Sequence, residues 1–194
     1  MAGRGKRSPG KFRMVLIALA LMAMLLATWR YQQQVRDWFV DDTKYREEIR
    51  AAAARHGLPP ELVRSLVFRE SRFNPEAVGS AGEIGLMQVL PRGAVAEWAK
   101  RNGKVMPTTR ELMKPELNLE IGCGHLARAM QRWRNYRFGT ELALAQYNAG
   151  ESRAARWKPD NPQDPVIGRI GIASTRAYVE NIMTRYRHYQ EAKR

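Results

Sequence analysis

Residues 14–29 form an almost wholly apolar run that directly follows a basic N-terminal segment. This arrangement is typical of an export signal whose Lys/Arg side stays in the cytoplasm. Sixteen residues is short for a membrane span, which needs about 20, but Phe12, Trp29 and Tyr31 could extend it at the two interfaces. We therefore expect a cytoplasmic segment at 1–13, a transmembrane anchor at 14–30 and a helical stalk at 31–42.

The alternative for the apolar run is a signal peptide that is cleaved after export. A cleavage site needs small residues at two positions, and the nearest match, Leu25-x-Ala27, has leucine at the first of them. An uncleaved single-pass anchor in the cell membrane is therefore the favoured interpretation, and a secreted form is the alternative. In both cases, the rest of the chain works on the periplasmic or outer side of the cytoplasmic membrane.

Residues 43–194 are predicted to form one all-α domain. Apolar residues recur at helical spacing between Pro and Gly boundaries, and no convincing alternating strand pattern is present beyond a minor hairpin near 78–89. Helices are predicted to begin at a cap formed by Thr43 or Asp42, at Pro60, at Arg92, at Glu116, at Thr140 and at a cap formed by Ser174. The only cysteine, Cys123, lies in a small-residue stretch and is expected to be buried.

The chain carries a formal net charge of +14, part of which belongs to the basic N-terminal segment. A basic surface suits an anionic polymer such as nucleic acid, an acidic membrane face or cell wall. No zinc-ligand spacing, RNP sequence or basic zipper region is present. Nucleic acid is therefore not an expected partner.

One carboxylate, Glu70, ends a helical apolar stripe. The stripe consists of Leu62, Val63, Leu66 and Val67. Helical spacing puts Glu70 on the same inward face, where burial disfavours the charged carboxylate. A carboxyl group that stays protonated near pH 7 is what a general acid needs. A structural salt bridge with Arg69 or Arg72 is the alternative.

Four short blocks around and after Glu70 occur in a fixed order. They are Glu70-Ser71 with Asn74-Pro75 and Gly82-x-x-Gly85-Leu86-Met87-Gln88; Glu111-Leu112, Pro115-Glu116, Asn118-Leu119, Gly122 and Leu126; Ala145-Gln146-Tyr147-Asn148-Ala149-Gly150; and Thr175-Arg176-x-Tyr178-Val179. Together they resemble the soluble lytic transglycosylase domain over roughly residues 44–190. The resemblance implies a lysozyme-like (goose-type) all-α globular domain.

The same resemblance implies roles for individual residues. Glu70 would be the catalytic residue, and the substrate-binding residues would be Ser71, Gly85, Met87, Gln88, Tyr147, Asn148 and Tyr178. Within this set, the hydroxyl of Tyr147 is expected to face the catalytic acid and Met87 to lie against a sugar ring. Ser71 is expected to bind the acid or the substrate, and Gln88 to donate to the substrate.

Three positions depart from the family pattern. Gly79 stands where Ser is common, Ser174 where Glu is usual, and Glu83 where Ala is usual. Glu83 is therefore a candidate second carboxylate of the site. The three histidines show no metal-ligand spacing, and neither a metal nor an organic cofactor is expected.

The resemblance implies a peptidoglycan lytic transglycosylase active in murein turnover. Such an enzyme breaks the β-1,4 bond between N-acetylmuramic acid and N-acetylglucosamine of glycan strands and forms a 1,6-anhydro ring, with Glu70 as general acid and then base. A lysozyme-type hydrolase is one alternative, although Leu90 stands where goose-type lysozymes commonly carry Asp, and Glu83 would have to replace it. A membrane-anchored wall-binding or assembly protein is the other, and the presence of Glu70 disfavours it.

Overall fold

The computed structural model describes residues 9–38 and 40–192, and the chain divides between Val40 and Asp41 into two compact units. The predicted boundaries at residues 13, 30 and 42 remain predictions. The first eight residues, part of the predicted cytoplasmic segment, lie outside the described range.

The described part of the first unit is one helix, α1 (Pro9–Trp38). It contains an 18-residue stretch, Phe12–Trp29, that is long and apolar enough to cross a membrane. The large apolar side chains of this stretch are exposed rather than packed, with Leu16 at 50% and Leu25 at 67% of full exposure. Helical structure continues without a break into the polar segment predicted as a stalk.

The second unit is built from helices α2 to α9. They are α2 (Arg46–Arg55), α3 (Pro60–Ser71), α4 (Ala96–Arg101), α5 (Thr109–Leu112), α6 (Pro115–Arg132), α7 (Gly139–Ala149), α8 (Glu151–Trp157) and α9 (Ala173–Glu191). A π-helical turn, Pro91–Val95, leads into α4, and a 3-10 turn, Ile167–Arg169, precedes α9. The described residues contain no strand, so the predicted all-α class is confirmed.

The core forms around α3, which packs against α2 and α9, and around α6, which packs against α2 and α7. The predicted apolar stripe of α3 is completely buried at its four positions, which places the helix end that carries Glu70 against the core. The long segment between α3 and α4 contains two isolated antiparallel bridges, Val78 with Ile84 and Ile84 with Val89. The predicted hairpin is therefore reduced to these two bridges.

Helix α2 begins at Arg46, later than the predicted cap at Asp42 or Thr43. The Asp41 carboxylate accepts hydrogen bonds from the Thr43 backbone N–H (3.0 Å) and hydroxyl (2.6 Å), which holds this segment as a turn. Tyr45 then adopts a left-handed conformation, with φ 56°, directly before the helix. The side chain of Asp41, rather than a helix cap, therefore organises this segment.

Three further differences concern local structure. Ser174 lies inside α9 instead of capping it, because Ile172 occupies the N-cap position. The helix predicted from Arg92 opens as the π-helical turn. Helices α5 and α8 were not predicted; α8 follows Gly150 at once because that glycine turns the chain with φ 86°.

Candidate active site

Glu70 lies in the last turn of α3, whose C-cap residue, Arg72, adopts a left-handed conformation with φ 49°. Burial of its carboxyl group raises the pKa of Glu70 to about 7, and the charge of Glu83 adds to the rise. The hydroxyl of Tyr178 and the charge of Arg69 act in the opposite direction. Glu70 therefore exchanges its proton near neutral pH, as a general acid and base must.

The group that contacts Glu70 is Tyr178 of α9, whose hydroxyl donates a hydrogen bond to Oε1 of Glu70. Tyr178 is 2% exposed, and burial raises its pKa well above the usual value for tyrosine. Its hydroxyl therefore stays protonated and acts as a donor. The Arg69 guanidinium lies 5.2 Å from the centre of the Tyr178 ring.

Tyr147 of α7 was predicted to face the acid, but its hydroxyl donates to the backbone carbonyl of Met87 at 2.8 Å. Tyr147 is close enough to Glu70 for the charge of that carboxylate to affect its pKa, which burial raises most. The direct contact with the acid nevertheless belongs to Tyr178. Tyr147 instead links α7 to the segment that holds Met87.

The buried amide of Asn118 in α6 shapes the segment after α3. Its Oδ1 accepts from the Met87 N–H (2.8 Å), and its Nδ2 donates to the carbonyls of Ile84 and Leu112 (2.8 Å each). Asn118 is 0% exposed, and these three bonds satisfy its amide. It supports the site from inside the domain and was not predicted as a site residue.

Two glycines allow this close packing. A Cβ on Gly85 would lie 2.2 Å from Nδ2 of Asn118, and Gly85 also has a φ of 79°. A Cβ on Gly122 would lie 2.5 Å from the sulfur of Met87. Glycine at both positions therefore lets Met87 pack directly on α6.

Met87 and Ser71 differ from their predicted roles. Met87 is 0% exposed and packs against Gly122 and Cys123, so its side chain belongs to the core rather than to a surface for a sugar ring. The hydroxyl of Ser71 donates to the carbonyls of Leu86 (2.8 Å) and Val67 (3.2 Å). Ser71 is thus bound to backbone and is not a partner of the Glu70 carboxyl group.

Gln88 adopts an unusual left-handed conformation with φ 46°. Its Nε2 donates to the carbonyls of Ala77 (3.0 Å) and Gly85 (2.9 Å), which uses both of its N–H groups. The predicted donation to substrate is therefore replaced by bonds within the segment. Only the Oε1 atom of Gln88 remains to meet a ligand, as an acceptor.

A cleft of about 980 Å³ runs beside these residues. Its walls include four of the predicted site residues: Glu83, Gln88, Tyr147 and Asn148. Oδ1 of Asn148 accepts from the Thr175 hydroxyl at 2.8 Å, which orients its amide. Glu70 and Tyr178 are not among the wall residues, but the charge of Glu70 acts on both Tyr178 and the wall residue Tyr147.

The cleft walls also carry charged residues of α4, α6 and α8. Glu97 pairs with Arg128 (2.9 Å) and Arg101 (3.2 Å), and Arg132 pairs with Glu151 (2.5 Å). His125 packs edge-to-face on Tyr147, and burial lowers its pKa, with Arg128 adding to the effect. No group of three or more potential metal ligands occurs within residues 9–38 and 40–192.

Comparison with solved structures matches this fold to lytic transglycosylases. The inactive Glu→Gln mutant of Slt from Pseudomonas aeruginosa aligns with a TM-score of 0.67 and 26% identity, over 77% of this chain and 24% of that one. The soluble lytic transglycosylase Slt70 of Escherichia coli aligns with a TM-score of 0.65 and 26% identity, over 76% and 25% of the two chains. The predicted lysozyme-like fold is thus confirmed.

Sequence comparison agrees with the structural match. The membrane-bound lytic murein transglycosylase C of Haemophilus influenzae is 33% identical over 66% of this chain, and the soluble lytic murein transglycosylase of Salmonella typhimurium is 33% identical over 66%. This chain spans 37% and 21% of the length of those two proteins. A family model, the transglycosylase SLT domain, matches residues 47–165. The chain belongs to this family.

The family match includes Glu70, Glu83 and Tyr147 but ends before α9. Tyr178, which contacts Glu70, therefore lies beyond the matched range. In the sequence it was visible only within the short block Thr175-Arg176-x-Tyr178-Val179.

Proposed function

We propose that this protein is a peptidoglycan lytic transglycosylase that cleaves the β-1,4 bond between N-acetylmuramic acid and N-acetylglucosamine. The observation that carries the proposal is Glu70, whose pKa of about 7 leaves its carboxyl group partly protonated at neutral pH and whose charge acts on Tyr147, a residue of the cleft wall. Family membership supports it, since relatives that share the fold are named lytic murein transglycosylases. One of them is inactive as a Glu→Gln mutant.

Glu70 would serve first as an acid. It protonates the glycosidic oxygen while the bond from this oxygen to C1 of the muramic residue breaks, and the acetamido oxygen stabilises the positive charge that develops at C1. The partly exposed Leu90 lines the cleft at the position where a hydrolytic relative would carry a carboxylate, so water lacks an activating base there.

Glu70 would then serve as a base. As a carboxylate, it accepts the proton of the C6 hydroxyl while the C6 oxygen bonds to C1 and closes the 1,6-anhydro ring. Glu70 regains the proton that it gave to the leaving group, so no water is consumed. Tyr178 donates to the carboxylate form and thereby supports this half of the cycle.

We further propose that α1 anchors the enzyme in the cytoplasmic membrane and that the catalytic domain lies on the periplasmic side. The apolar stretch Phe12–Trp29 supports this placement, as does a relative that is named membrane-bound. The soluble relatives fit the alternative, in which the segment is cleaved after export.

The released product tests the proposed reaction. Purified sacculi digested by the protein should yield muropeptides that end in 1,6-anhydro-N-acetylmuramic acid, about 18 Da lighter than reducing-end products because ring closure replaces hydrolysis. Mass spectrometry before and after borohydride treatment checks this, since anhydro ends are not reduced. Glu83→Ala should leave the proportion of anhydro ends unchanged.

Glu70→Gln is the control for the same assay. The amide keeps the size of the side chain but cannot donate the proton, so lytic activity should fall by about 10²–10⁴-fold. Reducible ends that disappear in Glu83→Ala would identify a hydrolase with Glu83 as its second carboxylate. Near-normal lysis by folded Glu70→Gln protein would assign the acid to another residue.

A further inference from the structure

The carboxylate of Glu83 folds back onto its own turn. Its Oε2 accepts from the Ala81 N–H at 3.0 Å, and the Gly79 N–H donates to the Glu83 carbonyl at 2.8 Å. Both the side chain and the backbone carbonyl of Glu83 are therefore hydrogen-bonded within this turn. The residue lies on the wall of the cleft, together with Gln88.

The position of this carboxylate depends on Gly79. A Cβ on Gly79 would lie 2.3 Å from Oε2 of Glu83 and 2.8 Å from Oε1 of Gln88. Unlike Gly82 and Gly85, Gly79 does not have a positive φ, so its backbone conformation does not require glycine. The absence of a side chain at position 79 makes room for the carboxylate instead.

The two oxygens near Gly79 are both acceptors. Gln88 uses its two N–H groups on backbone carbonyls, which directs Oε1 to the same space as the Glu83 carboxylate. A neighbouring pair of acceptors on a cleft wall suits a ligand that brings donors. N-acetylated sugars bring both acetamido N–H and hydroxyl groups.

We propose that Gly79, Glu83 and Gln88 form an acceptor site on the cleft wall, in which the Glu83 carboxylate binds N–H or O–H donors of the glycan. The inference rests on the proposed function for the identity of the ligand. The Glu83 carboxylate occupies the space that a side chain at position 79 would fill.

The negative charge of Glu83 also acts on the acid. It raises the pKa of Glu70, while Arg69 and the Tyr178 hydroxyl lower it; Tyr147, which is uncharged, is the other titratable group near Glu70. Removing the Glu83 charge should therefore lower the pKa of Glu70. The alkaline limb of kcat/KM should shift to lower pH, since Glu70 must be protonated to start the reaction.

The first experiment compares Glu83→Gln with the wild-type full chain on soluble glycan strands freed of peptides by an amidase. The new amide donates to Gln88 and removes the acceptor pair, so KM should rise about tenfold while kcat at pH 5 stays within about twofold. Glu76→Gln, which removes an exposed carboxylate from the same segment, is the matched control and should change neither KM nor the pH profile. An unchanged KM and pH profile in Glu83→Gln would overturn the proposal.

The second experiment is a double-mutant cycle with Gly79→Ser and Glu83→Ala. Gly79→Ser should displace the carboxylate and raise KM as much as Glu83→Ala does, and the double variant should be no worse than either single one. Effects that add, or a Gly79→Ser variant with wild-type KM, would contradict the proposal. Borohydride treatment of the same digests reports the reaction type separately, so reducible products from the wild type would reject the transglycosylase and not the acceptor site.

Discussion

Glu70 and Tyr178 are 108 positions apart in the chain, yet one hydrogen bond joins them. The helical spacing of the α3 stripe predicted that Glu70 faces inward, and the buried stripe confirms the orientation of the helix. The resemblance to the soluble lytic transglycosylase domain implied that Tyr147 would face the carboxyl group. Both tyrosines reach the same region from different helices, and residue spacing within one helix does not indicate which of them contacts Glu70.

The raised pKa of Glu70 predicts how stability depends on pH. Between its ordinary pKa of 4.5 and about 7, the folded protein keeps a proton that the unfolded chain releases. Stability should therefore fall as pH rises through this window, by as much as about 3 kcal/mol from this group. Glu70→Gln lacks the titration and should be the more stable protein above pH 7.

Urea unfolding of the full chain in detergent at pH 4.5 and pH 7.5 measures this difference. Glu76→Gln, at an exposed site, should follow the wild type at both pH values. A Glu70→Gln variant that loses stability with pH as steeply as the wild type would show that Glu70 is not the group responsible.

Tyr178→Phe should shift the activity profile in the opposite direction to Glu83→Gln. Loss of the hydroxyl removes a donor that favours the Glu70 carboxylate, so the pKa of Glu70 rises and the alkaline limb of kcat/KM moves to higher pH. The maximal rate should fall by about tenfold, since the hydrogen bond that stabilises the Glu70 carboxylate during the reaction is lost. Tyr186→Phe on the same helix is the control, because the charged neighbour of Tyr186 is Glu61.

The elements around the site pack so closely that some positions leave no room for a side chain. Asn118 of α6 binds three backbone groups, and Gly85 and Gly122 let the chain lie against α6. Turn glycines such as Gly85 are visible in the sequence. The residue of α6 that requires glycine there cannot be identified from the sequence, because α6 begins 30 residues later.

Gly85→Ala should therefore be far more damaging than Gly82→Ala. Both glycines have a positive φ, which costs alanine about 1 kcal/mol, but nothing lies within 4 Å of a Cβ on Gly82. The Cβ on Gly85 would also collide with Asn118 and the Leu112 carbonyl, raising the loss to about 3 kcal/mol or more. Thermal unfolding of the two variants measures the difference, and equal losses would contradict the role of Asn118.

At the scale of the whole molecule, the chain consists of two units with different surfaces. The described part of the first is a single helix with exposed apolar side chains, and the second buries its apolar residues in a core. Exposed leucine and methionine along an 18-residue stretch would be unfavourable in water and favourable in lipid.

The full chain should accordingly pellet with membranes in a fractionated cell and resist extraction by high salt. Residues 41–194 expressed alone should stay in the soluble fraction or be released by salt, because only the apolar helix inserts. A soluble mature protein that begins near Thr28 or Trp29 would show instead that the segment is a cleaved signal peptide.

The features that depend on neighbouring residues could be predicted from the sequence. Periodic apolar positions specified α3 and the inward face of Glu70, Pro60 marked the start of α3, and the apolar run marked the N-terminal helix. The helix start at Arg46 was missed because Asp41 binds its own backbone neighbours in a competing turn.

The chemistry of the site depends on contacts that form only when the helices pack together. The tertiary structure selected Tyr178 as the partner of Glu70, buried Met87 against Gly122, and seated the Glu83 carboxylate over Gly79. The pKa of Glu70 likewise depends mainly on burial, which the packing of several helices produces together. Such contacts join residues that are far apart in the chain, and local spacing carries no information about which of them meet.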